Sequence, residues 1–62
     1  MKTAEFLTIA QESLNNVNNK LSLMRERGWY LLARTSKRHA EAIEEQLRLK
    51  NTYESLIAIH KN

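Results

Sequence analysis

Leu7, Ala10, Leu14, Val17, Leu21 and Met24 recur at alternating intervals of three and four residues. On an α-helix that spacing lines all six along one stripe. A helix with an apolar stripe must bury it against another helix. The chain is therefore constrained to helices packed on helices, a structural and associating element rather than a catalytic scaffold.

Composition agrees with an all-α fold. There is one glycine, Gly28, and no proline, strong helix formers dominate, and β-branched residues occur singly without an alternating run. Sixty-two residues make a single domain over 1–62. A domain this small buries only about 60% of its unfolded surface and usually needs a staple. With no cysteine, that staple is neither a disulfide nor a thiolate metal site. His39 and His60 are far apart in sequence, so neither a metal nor a cofactor is expected. Oligomerisation is the remaining means of stabilisation.

Thr3 is suited to cap the first helix, and Glu5 in the first turn suits its dipole. Asn15, Asn16, Asn18 and Asn19 are weak helix formers, but all fall off the stripe while Val17 and Leu21 keep its phase. They are read as the solvated face of one helix over about 3–27. Gly28 stops that helix. Glycine adopts the left-handed conformation cheaply, Arg25 and Arg27 suit the last turn, and Trp29 is placed to contact Met24 across the cap. The turn then spans about 28–29.

A second helix starting at Ser36 would put Lys37, Arg38 and His39 in its first turn, against the dipole. A start near Tyr30, and a helix over about 30–60, is therefore expected. Leu32, Ser36, Ala40, Ile43, Leu47 and Ile57 would form its inner face, Glu44 and Arg48 an exposed i,i+4 pair, and His60 and Lys61 its end. Two long helices joined by a short turn pack as an antiparallel helical hairpin. The alternative is a three-helix bundle in which the asparagine segment turns.

The termini meet at one end of such a hairpin, and that end has more apolar surface than one seam uses. Phe6, Ile9, Leu49, Tyr53, Leu56 and Ile59 are the expected protein interface. Surplus apolar surface marks association, either as a homodimeric four-helix bundle or as docking on a partner protein.

Net charge is +3, and it is unevenly spread: zero over 1–24, +4 over 25–39 and −1 over 40–62. Arg25, Arg27, Arg34, Lys37 and Arg38, with Trp29 and Tyr30 among them, are candidates for contact with an anion or nucleic acid. Arg34 and Arg38 form a like-charge i,i+4 pair that an anionic partner would relieve. The simpler reading is a solvated surface whose aromatics cap the core.

The chemistry needed for catalysis is not apparent. His39-Ala40-Glu41 has the H-x-E spacing of zinc deaminases without their cysteines. No H-E-x-x-H, phosphate-cradling glycine loop or nucleophile elbow occurs. Glu41, Glu44 and Glu45 read as solubilising carboxylates. No catalytic residue is assigned, and the chain is not expected to be an enzyme. A DNA-binding helix-turn-helix is disfavoured by Arg34 at an inward position and by the length of the second helix.

The longest apolar run, Trp29 to Ala33, is far short of the ~20 residues needed to span a bilayer. Lys2 followed by Glu5 does not make a secretory leader, so a cytoplasmic location is expected. Attachment to a membrane surface is disfavoured because Glu41–Glu45 follow the basic segment directly. The expected function is that of a small non-enzymatic interaction protein: an adaptor, inhibitor or assembly factor binding a partner protein through apolar helix faces. The alternative is a small nucleic-acid-binding regulator using the basic region 25–39. In outline the hairpin is similar to small dimeric RNA-binding regulators of plasmids, an analogy of architecture without a shared motif.

Overall fold

The computed structural model describes residues 3–61, and the side chains of 4–60. It contains α1 (Thr3–Glu26), α2 (Trp29–Leu32) and α3 (Lys37–Lys61), with no strand among the described residues. The long helices α1 and α3 lie side by side in a rod of 44 × 16 × 16 Å. Their pairing is antiparallel: Phe6 meets His60, Ala10 and Leu14 meet Ile57, and Trp29, just beyond α1, meets His39 near the start of α3.

The stripe on α1 forms the core as its spacing requires. Ala10, Leu14, Val17 and Leu21 are buried, while Leu7 and Met24 at its ends are half-buried. The four asparagines remain helical and exposed, so α1 does not turn there, and Gln11 donates to the Asn15 side chain across one helical turn at 3.3 Å. The cap expected at Thr3 involves a side chain outside the described ones. Gly28 terminates α1 in the left-handed conformation, φ 77°, its N–H bonded to the Arg25 carbonyl at 3.1 Å.

The second helix differs from expectation in two ways. It does not run unbroken from residue 30. The four-residue α2 ends at Leu32, the chain turns through Ala33–Thr35, and α3 begins at Lys37. The break is made by local hydrogen bonding. The Leu32 carbonyl accepts the Thr35 and Ser36 N–H groups at 3.1 and 2.7 Å and also the Thr35 hydroxyl at 3.4 Å. Ser36 Oγ and His39 Nδ1 are hydrogen-bonded at 2.8 Å, side chain to side chain, across the first turn of α3. The Thr35 hydroxyl competes for a backbone carbonyl in this way, and together with the N–H bonds onto Leu32 this outweighs some tenths of a kcal/mol of unfavourable dipole interaction.

The inner face of α3 also has a different phase. Ile43 and Ile57 are buried, but Leu47 is 41% exposed and Leu32 is 45% exposed. Three residues after Ile43 and Lys50 come Gln46 and Tyr53; four residues after them come Leu47 and Glu54. Turning Tyr53 inward rather than Glu54 rotates Gln46 in with it and Leu47 out. The consequence is a Gln46 side-chain oxygen, Oε1, that is buried without a hydrogen-bond partner. Glu44 and Arg48 are exposed, and the ion pair among the described residues is instead Lys37–Glu41, at 3.9 Å.

Candidate interaction surfaces

At the terminal end, the six residues expected at an interface divide by their packing. Phe6 and Tyr53 lie against the cluster of Ala10, Leu14 and Ile57, and Phe6 also contacts the His60 ring at a centroid distance of 4.4 Å. These two close the edge of the hairpin's own core. Leu49 and Leu56 are half-buried, whereas Ile9 and Ile59 are 51% and 67% exposed. Leu49, Tyr53, Leu56 and His60 follow one another at helical spacing on one side of α3. Leu49 and Tyr53 share a shallow groove with Ser13, Val17 and Lys20 of α1 and with Gln46. The α1 side of this groove is polar at Ser13, Asn16 and Lys20 and apolar only at the buried Val17, so its apolar lining comes mainly from α3; Ile9 and Ile59 are exposed elsewhere on the two helices.

At the turn end, Arg25, Arg27, Arg34, Lys37 and Arg38 are all exposed, and Trp29 and Tyr30 are half-buried. Both aromatic rings already have partners within the fold. Trp29 meets His39 edge-on at 4.6 Å, and the Arg25 guanidinium lies 5.5 Å from the Tyr30 ring centre. The Lys37–Glu41 pair has side chains 89% and 63% exposed, and such surface pairs contribute little to stability. The break at 33–36 separates Arg34 from Lys37 and Arg38, so these cations do not share one continuous helix.

Sequence reasoning did not anticipate the two imidazole contacts, which place His60 on Phe6 and His39 on Trp29. The spacing of Ser36 and His39 was the available signal for the second. Among the described residues, no three His, Cys, Asp or Glu side chains gather as a metal site would need, and no helix is long and apolar enough to cross a membrane. Comparison with protein-family models, curated proteins and solved structures finds no match for this chain.

Proposed function

We propose that this chain is a small non-enzymatic interaction protein, an adaptor, inhibitor or assembly factor that binds a partner protein through apolar helix faces and also associates with a second copy of itself as a four-helix bundle. The observation that carries this reading is the incomplete closure of its core. The six buried residues retain 4–9% of their surface, while Ile9 and Ile59 are more than half exposed and Leu49 and Leu56 half-buried. An isolated hairpin leaves this surface in water, and protein contact removes it at roughly 25 cal/mol per Å² of apolar area. A cytoplasmic setting accords with this role.

The test is affinity purification of the tagged chain from its native cell, with and without nuclease, beside an Ile59→Glu variant. Ile59 is exposed enough for the hairpin to tolerate the charge. A defined protein retained by the wild type through nuclease treatment and lost with Ile59→Glu supports the reading. Equal retention by both refutes the assignment of this face.

A second reading draws on the exposed cations at the turn end: of Arg25, Arg27, Arg34, Lys37 and Arg38, only Lys37 takes part in the ion pair among the described residues. Nucleic-acid binding there would weaken steeply with salt and would be lost on charge reversal at Arg34 and Arg38. Retention that ignores both excludes it.

A further inference from the structure

Flanking the buried stripe, and bordering the groove against α3 at Asn16 and Lys20, α1 carries an exposed row with a symmetry of its own. Glu5, Ile9, Glu12, Asn16, Lys20, Leu23 and Arg27 are all exposed; all but Arg27, which follows α1 directly, lie within the helix. They occupy roughly a quarter of the helix circumference and span about 33 Å. Their intervals run four, three, four on each side of Asn16. Read outward from Asn16, Glu12 mirrors Lys20, Ile9 mirrors Leu23, and Glu5 mirrors Arg27. Acid is matched with base, aliphatic with aliphatic, and asparagine with itself.

From this pattern we infer that two copies of the chain associate through α1 in antiparallel fashion, with the two-fold axis passing at Asn16. The inference rests on the self-association proposed above and specifies its surface and direction. In this arrangement Glu5 of each copy faces the partner's Arg27, Glu12 faces Lys20, and Ile9 faces Leu23. The two asparagines meet at the centre, where such a residue fixes register. Parallel pairing of the same row would set each charge against its own kind. The helix dipole alone does not account for the charge order, because Glu12 and Lys20 lie more than a turn from either end of α1 and the dipole effect fades within the terminal turns. None of the four charged side chains takes part in the Lys37–Glu41 ion pair.

The local shape agrees with a second copy. An apolar hollow bounded by Lys20, Leu23, Met24, Arg27 and Trp29 lies where the partner's Ile9 would arrive.

The experiment is analytical ultracentrifugation of the full chain with two charge-reversed variants, Glu5→Lys/Glu12→Lys and Lys20→Glu/Arg27→Glu. The wild type is expected to be a dimer, each variant to dissociate roughly tenfold or more readily, and an equimolar mixture of the two to recover a heterodimer with every pair complementary. Circular dichroism establishes that both variants remain helical. Because the chain has no cysteine, direction can be read by oxidative cross-linking. Glu5→Cys mixed with Arg27→Cys should cross-link between the two variants, and Glu5→Cys alone should not. A dimer indifferent to both reversals, or one that links Glu5→Cys to itself, overturns the antiparallel assignment and leaves self-association standing. A wild-type chain that stays monomeric at millimolar concentration overturns both.

Discussion

The two ends of the rod are held together in different ways. At the terminal end, Ala10, Leu14 and Ile57 are buried beneath Phe6, Leu7 and Tyr53, so closure there depends on aliphatic and aromatic area. At the turn end, beyond the buried Leu21 and Ile43, Leu31 and Leu32 remain 71% and 45% exposed, and the chain reversal is held by directional contacts: the left-handed Gly28, the hydrogen bonds onto the Leu32 carbonyl, Ser36 with His39, and His39 with Trp29. Periodicity along a helix encodes the first kind of closure. The second depends on what single side chains do within four residues of themselves. Between the two lies Gln46, turned inward because Tyr53 must be.

The largest test of this contrast is truncation on each side. Leu14→Ala should cost about 2–4 kcal/mol in urea unfolding followed by circular dichroism, since it leaves a cavity in the buried cluster. Leu32→Ala at the turn end should change stability by no more than about 0.5 kcal/mol, as for an exposed position. Equal costs would mean that the turn end hides more area than its exposure indicates, and the contrast would fail.

Gly28→Ala addresses the directional side. A Cβ at Gly28 meets no atom within 4 Å, so the substitution probes the backbone alone at φ +77°. The expected loss is about 1–2 kcal/mol. Gly28→Asn should recover part of it, because asparagine tolerates the left-handed region better. A neutral Gly28→Ala would show that the turn reshapes freely and is not set by this residue.

Gln46→Leu should move stability the other way, by about 1 kcal/mol or slightly more. It removes an unpartnered buried acceptor and supplies a side chain of similar size. The gain would join the apolar segments on either side of Gln46. A loss instead would indicate that Gln46 is bonded in solution, for example through water or across the proposed dimer.

These cases show which parts of the fold were legible. The buried face of α1 followed directly from six residues at three-four spacing, and Gly28 followed from the cost of a left-handed residue. The phase of α3 was misjudged because Leu47 is the more apolar choice locally, whereas Tyr53 against Glu54, a full heptad after Gln46 and Leu47, decides which way the helix rotates. The break at 33–36 is not legible from charge and dipole alone, because it depends on the Leu32 carbonyl collecting the Thr35 hydroxyl and the Thr35 and Ser36 N–H groups. At the candidate surface, the exposure of Ile59 and Ile9 agrees with their place outside the stripe, but the engagement of Phe6 with His60 needed three dimensions, because those residues are joined only by the folding of the hairpin. The mirror order along the exposed row of α1 was present in the sequence throughout. It became meaningful once all its members proved exposed along one helix.

The smallest expected effect also discriminates most finely between the two kinds of closure. Ser36→Ala removes the hydroxyl bonded to His39 and should cost about 0.5–1 kcal/mol, the scale of one net side-chain hydrogen bond. Stability alone would not separate this from a general weakening. The chain has a single tryptophan, Trp29, and its ring lies against His39, so its fluorescence reports the turn end specifically. Ser36→Ala should therefore shift Trp29 emission in the folded protein, while Ile57→Val at the far end should lower stability by a comparable amount and leave that emission unchanged. If Ser36→Ala instead leaves Trp29 undisturbed and stabilises the chain, alanine's helix propensity has won over the Ser36–His39 bond. The continuous second helix from residue 30 would then be the state that Ser36 normally prevents.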